Sequence, residues 1–349
     1  MEWMIYGANG YTGKLIAERA VEMGLKPLLG GRGDAVRLLA AALGLSARVF
    51  DITASTEHLD GISLVLNCAG PFSATTEPMI AACLAAKVHY LDITGEIDVL
   101  ELAARHDLAA RDAGVVLCPG VGFDVVPTDC VAAALSEALP DATHLSLGFD
   151  TDSPMSPGTA KTVIEGFGHG GKARRDGGIV TTGLAARIRR IDFGRGHKTT
   201  MSIPWGDVST AWHSTGIPNV EVFLPTPALV AVVARVLSAP LRWIFSNASV
   251  QRWSKLVITH KVRGPDREHR KRLRTLVWGE ARNAHGERRV ARLETPNAYD
   301  VTVEAAIAVV RYVIEHAPSS GGYFTPSRLC GWRLIETLPG CGHIIVERA

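Results

Sequence analysis

The sequence predicts an α/β protein with a doubly wound parallel sheet, followed by an α+β domain whose sheet is mostly antiparallel. Apolar strand-like runs alternate with amphipathic helical segments through residues 1–125, which is typical of β–α units. After Asp150, Gly, Ser and Pro become frequent and shorter strand-like pieces follow. The length of 349 residues also fits more than one domain. We predict domains at 1–125 and 126–300, and C-terminal helices at 301–349 that could pack back on the first domain.

The first domain is predicted from apolar runs and helical periodicity. Ile16, Ala20 and Met23 recur at helical spacing behind the first strand, and similar stripes follow each later strand. The predicted strands lie at residues 2–6, 27–29, 49–51, 64–67, 88–93 and 115–118. The predicted helices lie around residues 16–23, 36–43, 77–86 and 99–113. Right-handed crossovers between such strands make a mostly parallel sheet.

The second domain is predicted to mix strands and helices. A helix over 124–139 precedes alternating residues at 145–149, and Asn283 to Gly286 is predicted to be the turn of a hairpin. Its further strands are predicted at residues 188–193, 199–203, 220–224, 277–281 and 289–293. The final helices are predicted near residues 301–316 and 327–336.

Composition limits the function classes. A formal net charge of +2 gives no global reason to expect nucleic acid as a partner. The six cysteines lack the spacing of a zinc site, so no metal is predicted and free thiols in a reducing cytoplasm are expected. No signal peptide is expected. The longest apolar stretch, 227–245, is interrupted by Arg235, Pro240 and Arg242, which disfavours a membrane span.

A glycine-rich turn joins the first strand to the first helix. Gly7, Gly10 and Gly13 stand at G-x-x-G-x-x-G spacing. They allow a tight turn, a close approach of backbone to phosphates, and close packing of helix on strand. The helix start then offers free N–H groups to an anion. The sequence therefore predicts a Rossmann-type dinucleotide site, with a purely structural turn as the alternative. The cofactor-binding residues predicted within it are Gly7, Asn9, Gly10, Tyr11, Thr12 and Gly13.

The end of the second strand indicates which dinucleotide binds. NAD sites usually place an acid there, whereas this chain has Gly30-Gly31-Arg32. A guanidinium pairs with a 2′-phosphate, so Arg32 favours NADP(H). Asp34 lies close enough to keep NAD open, and Arg32 as an ordinary solvated residue is the structural alternative.

Two later strand ends complete the predicted cofactor site. Asp51 follows the third strand and is expected near the adenine edge. The segment after the fourth strand is expected beside the nicotinamide ribose. Its residues are Asn67, Cys68, Ala69, Gly70 and Pro71.

Three acids on the next two loops are the candidate catalytic residues. Asp92 and Glu96 follow the fifth strand, and Asp124 follows the sixth. Burial could raise a carboxyl pKa enough for the group to donate a proton next to a hydride acceptor. Helix capping by Asp124 and binding of backbone amides by Glu96 are the structural alternatives.

The second domain supplies candidate substrate and partner regions. Trp205, Asp207, His213 and Thr215 are predicted to share a polar-aromatic loop that faces the substrate. The apolar stretch 224–245 is a candidate interfacial helix or wall for an acyl chain, with a buried core helix or a homodimer helix as alternatives.

Two further segments are candidate partner or lid elements. The basic stretch 261–274 is a candidate docking site for a carrier protein or an anionic lipid, with a solvated loop as the alternative. The glycine-rich segment 166–171 is a candidate lid or a linker.

Several segments together resemble the saccharopine dehydrogenase-like oxidoreductase family, and most closely its trans-acting enoyl reductase branch. The segments that carry the resemblance are residues 7–13, 67–72, 89–96, 119–129, 156–159 and 203–207. The resemblance implies NADP-linked redox activity but does not fix the substrate. A small-molecule or acyl substrate is expected, and the basic and apolar segments of the second domain make an acyl carrier protein or a membrane surface the candidate partner. The G-x-D-P-G loop of true saccharopine reductases is only loosely matched by residues 122–127.

Taken with the glycine turn and Arg32, the resemblance makes reduction of an activated C=C bond of a hydrophobic substrate the leading hypothesis. A C=N or C=O reductase is the alternative enzyme. A non-catalytic NADP(H)-binding or lipid-surface protein is the alternative outside catalysis. The expected location is the cytoplasm, with peripheral membrane association left open.

Overall fold

The structure is a computed structural model that describes residues 2–151, 170–245, 247, 250, 273–316, 318 and 320–348. The chain forms two compact units. The first unit comprises Met1–Val126 and Tyr299–Pro339, and the second comprises Pro127–Ala298 and Gly340–Ala349. The segment predicted as C-terminal helices, 301–349, is therefore shared between the units.

The first unit is built on a parallel sheet. Its strands are β1 Glu2–Tyr6, β2 Leu28–Gly31, β3 Ala47–Val49, β4 Ile62–Asn67, β5 His89–Asp92, β6 Val116–Cys118 and β15 Gly322–Tyr323. They lie in the order β15-β6-β5-β4-β1-β2-β3, and every neighbouring pair is parallel. The predicted doubly wound fold is confirmed, because the strand order runs outward in both directions from β1 and β4.

Helices follow the strands of the first unit. They are α1 Tyr11–Glu22, α2 Ala35–Leu43, α3 Phe72–Ala86, α4 Ile97–Arg105, α5 Asp107–Ala113, α10 Ala298–His316 and α11 Pro326–Cys330, with 3-10 helices at Ile52–His58 and Trp332–Thr337. Ile16 and Ala20 are fully buried, as their spacing predicts, but Met23 lies beyond the end of α1 and is exposed. The single helix predicted over 99–113 is two helices that meet at His106.

The second unit contains a mixed sheet. Its strands are β7 Ala142–Thr151, β8 Gly171–Arg175, β9 Gly178–Thr182, β10 Ile188–Asp192, β11 His197–Ile203, β12 Asn219–Pro225, β13 Arg274–Asn283, β14 Arg288–Pro296 and β16 Ile345–Arg348. The order is β10-β11-β12-β7-β13-β14-β16; off this path, β8 pairs with β12, and β9 pairs with β8. Among the described strands of this second sheet, only the β7–β12 pair is parallel. The mostly antiparallel sheet is therefore confirmed.

The described helices of the second unit are α6 Val126–Ala138, α7 Asp207–Thr215, α8 Ala228–Val236 and α9 Ser238–Phe245. A Cβ on Gly279 of β13 would lie 2.7 Å from both Val131 and Leu135, so α6 packs closely on the centre of the sheet. Within the described residues, no helix has the length and apolar character needed to cross a membrane. Residues 166–169 of the predicted lid and 261–272 of the basic stretch lie outside the described part.

Candidate functional site

The glycine turn brings β1, α1 and the loop after β4 into close contact. Gly7 has a φ of +81°, a conformation that favours glycine, and its N–H donates to the carbonyl of Gly30 at 2.8 Å. A Cβ on Gly7 would lie 2.7 Å from the backbone nitrogen of Ala69, and a Cβ on Gly13 would lie 2.5 Å from the carbonyl oxygen of Gly7. Any side chain at either position would therefore push the turn apart.

The start of α1 is open to an anion. Gly10 precedes the helix with no side-chain cap, and the first turn contains no acid. Asn9, Gly10 and Tyr11 are exposed, and Thr12 is half-buried. A Cβ on Gly10 would meet only the carbonyl oxygen of Gly7, at 3.2 Å, so open space lies beyond it. These amides at the positive end of the helix dipole fit a diphosphate group.

Arg32 is an exposed cation at the end of β2. In the described part of the chain it forms no ion pair within 4.0 Å. Asp34, the acid that kept NAD open, instead pairs with Arg37 at 2.6 Å between Nη1 and Oδ1. The pKa of Asp51 is lowered first by the hydrogen bonds from Thr53 and also by the charge of Arg32. Arg32 therefore lies near this strand edge with spare donors.

Asp51 has a clear local role. Its Oδ1 accepts from the amide of Thr53 at 3.1 Å and from the Thr53 hydroxyl at 3.0 Å. This places it as the cap of the 3-10 helix Ile52–His58. The predicted contact with the adenine edge stays a prediction.

The loop after β4 is shaped by Asn67. The buried Asn67 side chain accepts from the amide of Ala69 at 3.0 Å and donates to the hydroxyl of Thr75 at 3.2 Å. The peptide between Gly70 and Pro71 is cis. Burial raises the pKa of the Cys68 thiol, so this thiol is neutral. The Asn67 amide is thus used within the protein, and backbone is what this loop offers a ligand.

Asp92 joins the loops that follow β5 and β6. It is fully buried and accepts from the Tyr90 hydroxyl at 2.6 Å and from the amides of Thr94 and Gly120, both at 2.9 Å. Burial raises its pKa to about 6, although these donors act in the opposite direction. Its carboxylate is enclosed by donors, which supports a structural role over the predicted catalytic one.

Glu96 holds the start of α3. One carboxylate oxygen accepts from the amide of Phe72 at 3.2 Å, and the other accepts from the amide of Ser73 at 3.1 Å. These are helix-start amides that lack partners within the helix. The geometry supports the amide-binding alternative for Glu96, and its catalytic role stays a prediction.

Asp124 differs from the other two acids. Its side chain is partly exposed, and burial raises the pKa of its carboxyl to about 6. It packs against Gly95, where a Cβ would lie 2.8 Å from the Asp124 Cβ. The loop is fixed by Thr302, whose hydroxyl accepts from the amide of Phe123 at 3.0 Å. A carboxyl in this state can hold a proton near neutral pH and release it.

Helix α10 supplies parts of this unit that the sequence analysis missed. Besides Thr302, Tyr299 lies edge-on to the ring of Tyr11, with 5.3 Å between ring centroids. Glu304 pairs with Arg19 of α1 at 2.7 Å. These residues lie far along the chain from the glycine turn, and no local motif marks them.

The predicted substrate residues lie in the second unit on or beside α7. The predicted loop is wrong, because residues 207–215 form a helix that ends at Gly216 in the left-handed conformation. Trp205 packs against Phe149, with 4.9 Å between ring centroids. Asp207 is fully buried, whereas His213 and Thr215 are partly exposed. Substrate contact by these four residues stays a prediction.

Comparison with known proteins gives relatives over part of the chain. The chain is 30% identical over 195 residues to the saccharopine dehydrogenase-like oxidoreductase of Bos taurus, covering 47% of this chain and 46% of the relative. Over about half of its length the chain is homologous to saccharopine dehydrogenase-like oxidoreductases. A trans-acting enoyl reductase of Mycobacterium leprae is 30% identical over 138 residues, covering 36% and 33% of the two chains. The predicted resemblance is confirmed.

A third relative carries a location in its name. The Arabidopsis thaliana protein, named a mitochondrial saccharopine dehydrogenase-like oxidoreductase, is 27% identical over 203 residues, covering 50% of this chain and 44% of its own. The chain thus spans less than half the length of these relatives. No family model matches. The crystal structure of GenD2 in complex with NAD aligns with 17% identity and a TM-score of 0.44, covering 100% and 97% of the two chains.

Proposed function

We propose that the chain is an NADP(H)-dependent oxidoreductase that reduces an activated C=C bond of a hydrophobic or acyl substrate. The observation that carries the proposal is the glycine turn, where the uncapped start of α1 lies beside exposed backbone at Gly10. The name of the Mycobacterium leprae relative supports an enoyl group as the substrate. A nicotinamide nucleotide bound at the turn supplies or accepts the hydride.

Charge at the end of β2 supports NADP(H) over NAD(H). A 2′-phosphate adds negative charge, which Arg32 would neutralise with its spare guanidinium donors. Asp34 is turned toward Arg37, so its carboxylate is already paired. Because the carboxylate of Asp34 pairs with Arg37 and not with Arg32, the Arg32 guanidinium is available to bind the additional phosphate.

Replacing Arg32 tests this choice of cofactor. We expect Arg32→Ala to weaken NADPH binding at least about tenfold, because a charge-assisted contact to the phosphate is lost. NADH binding should change little. Titration calorimetry with both nucleotides measures the two affinities, and Arg105→Ala, an exposed arginine at the end of α4, is the control. Equal losses for NADPH and NADH would contradict the NADP(H) assignment.

Asp124 is the proposed proton donor. Its partly exposed carboxyl has a pKa raised by burial to about 6, so a useful fraction is protonated near neutral pH. Of the two acids whose carboxyl pKa is raised to about 6, Asp92 is fully buried and Asp124 is partly exposed, so Asp124 is the better placed to reach a substrate.

The reaction class is tested by NADPH oxidation on panels of enoyl, imine and ketone substrates, with product masses recorded. We expect turnover with enoyl substrates and a mass gain of two hydrogens at the C=C bond. Turnover with imines or ketones alone would replace this proposal by saccharopine-type chemistry on a C=N or C=O bond.

A lipid surface is a second candidate partner, supported by an exposed apolar surface on α8 and α9. Leu229, Val236 and Trp243 are 75%, 72% and 81% exposed. Large apolar side chains exposed together are typical of protein or membrane interaction sites. Such a surface would bring the protein, for which we propose a cytoplasmic location, to a membrane as a peripheral protein.

Vesicle flotation tests this attachment. We expect the protein to float with vesicles that contain anionic lipid, and Leu229→Ser with Trp243→Ser to reduce the bound fraction several-fold. Leu108→Ser is the control, since Leu108 is also 75% exposed but lies on α5 of the first unit. Unchanged flotation of the double variant would exclude this surface as the attachment site.

A further inference from the structure

An arginine-lined cavity lies entirely within the second unit, on one face of its sheet. Its volume is about 290 Å³, and strands β7, β8, β10, β12, β13 and β14 contribute to its wall. The arginines are Arg175, Arg187, Arg189, Arg282 and Arg288. None of these residues belongs to the glycine turn or its neighbouring loops, so the cavity shares no residue with the proposed cofactor site.

The cavity carries an excess of positive charge. Five guanidinium groups face two carboxylates, which leaves three positive charges unbalanced. Glu221 pairs with both Arg175 and Arg187, the latter at 3.2 Å between Nη1 and Oε2. In the described part of the chain, neither Arg282 nor Arg288 has a carboxylate within 4.0 Å. Their donors are available to a ligand.

The wall of the cavity is held in place by further contacts. Arg189 donates to the hydroxyl of Ser146 at 3.1 Å and to Glu280 at 2.9 Å. Its guanidinium carbon also lies 5.5 Å from the ring centroids of both Phe223 and Trp278. A guanidinium fixed by hydrogen bonds and two rings loses little conformational freedom when it binds an anion. These contacts distinguish the cavity from a row of solvated surface arginines.

The pKa of His144 reflects the positive charge around the cavity. Its pKa is lowered by burial first, and then by the charges of Arg282 and Arg175, while Glu221 acts in the opposite direction. The imidazole is therefore neutral at pH 7 and adds no charge of its own. The positive field at this histidine agrees with the excess of guanidinium groups.

We propose that this cavity binds a small polyanion that carries phosphoryl groups, with Arg282 and Arg288 as its principal contacts. Guanidinium forks match phosphate oxygens in geometry and charge. A phosphate ester or diphosphate concentrates several negative charges within a volume of this size, whereas a single carboxylate would leave most of the excess charge unbalanced. The phosphoryl group could belong to a free metabolite or to one end of a larger substrate.

Titration calorimetry with inorganic pyrophosphate tests the site. We expect the double variant Arg282→Gln, Arg288→Gln to bind pyrophosphate at least about tenfold more weakly than the wild type. The control is Arg190→Gln, because Arg190 is exposed on β10 beside Arg189 but points to the opposite face of the strand. Pantetheine 4′-phosphate and inorganic phosphate, as separate arms, distinguish a substrate-borne phosphoryl group from a free one.

Three outcomes would overturn the proposal. Pyrophosphate binding that survives in the double variant would place the anion elsewhere, including at the glycine turn. Citrate binding as tight as pyrophosphate would remove the phosphoryl preference. If the wild type bound no anion and formed a dimer, and the double variant were a monomer, this surface would be a dimer interface instead. NADPH titration of the same variants measures nucleotide binding at the glycine turn independently of the cavity. A negative result with pyrophosphate would therefore not contradict the proposed function.

Discussion

Asp124→Asn is expected to reduce the rate of NADPH-dependent reduction by about 10²–10⁴-fold, the contribution of a positioned proton donor. An amide has nearly the same shape but cannot deliver a proton, so NADPH affinity should stay unchanged. The wild-type rate should fall as pH rises above about 6, because the raised pKa of Asp124 marks the loss of its proton. Single-turnover rates across pH 5–9 measure both effects. A variant with the wild-type rate and pH profile would exclude Asp124 as the donor.

Although Asp124→Asn should lower the reaction rate, it should make the folded protein more stable at high pH. The folded state holds the Asp124 proton up to about pH 6, whereas an unfolded carboxyl releases it near pH 4, so stability falls as pH rises through this window. Removing this partly exposed charge should therefore raise the free energy of unfolding at pH 8 by about 1–2 kcal/mol. Asp51→Asn is the control with the opposite sign, because hydrogen bonds from Thr53 lower the pKa of the Asp51 carboxyl, so its charge stabilises the folded state. Urea unfolding at pH 8 should show Asp124→Asn stabilised and Asp51→Asn destabilised.

Gly7→Ala is expected to destabilise the first unit by about 3 kcal/mol or more and to abolish nucleotide binding. A left-handed φ alone costs an alanine about 1 kcal/mol. At Gly7 the new Cβ would also lie 2.7 Å from the Ala69 nitrogen, and such overpacking adds about 1–3 kcal/mol. Relief requires the loop after β4 to move away from the turn.

Gly24 provides the comparison that separates the two costs. It has a φ of +75° at the end of α1, and a Cβ there would meet nothing within 4 Å. Gly24→Ala should therefore cost only about 1 kcal/mol and leave NADPH binding intact. Thermal unfolding and nucleotide titration of both variants measure the difference. Equal stabilities for the two variants would mean that the turn is looser than the structure describes.

The parallel sheet and its glycine turn could be predicted because their signals are local. Each strand is a short apolar run, each helix has a stripe at helical period, and the glycines stand between them. Helix α7 gave no such signal, since its buried face includes Ser209 and Thr210 beside Val208 and Ala211. Strand β15 has only two residues, which is too short for a periodic pattern.

The roles of the acids depended on contacts that sequence spacing does not encode. Glu96 binds amides of Phe72 and Ser73, more than twenty positions earlier in the chain. The amide of Phe123 donates to Thr302, which lies on a helix near the end of the first unit. The arginines of the second-unit cavity likewise lie on or beside four strands, β8, β10, β13 and β14, which only the folded sheet brings together. Sequence patterns could identify the three acids as candidate catalytic residues, but they could not indicate which of the three is the best candidate proton donor.

Direct titration of the folded protein with NADPH tests the glycine turn most directly. We expect saturable one-to-one binding that is tighter for NADPH than for NADH. We also expect Gly10→Ala to lose at least about tenfold in affinity with only a small loss of stability, because its Cβ would meet only the Gly7 carbonyl oxygen, at 3.2 Å, while a side chain there hinders the close approach of the phosphates. A correctly folded wild type that takes up no nicotinamide nucleotide at millimolar concentration would contradict this expectation.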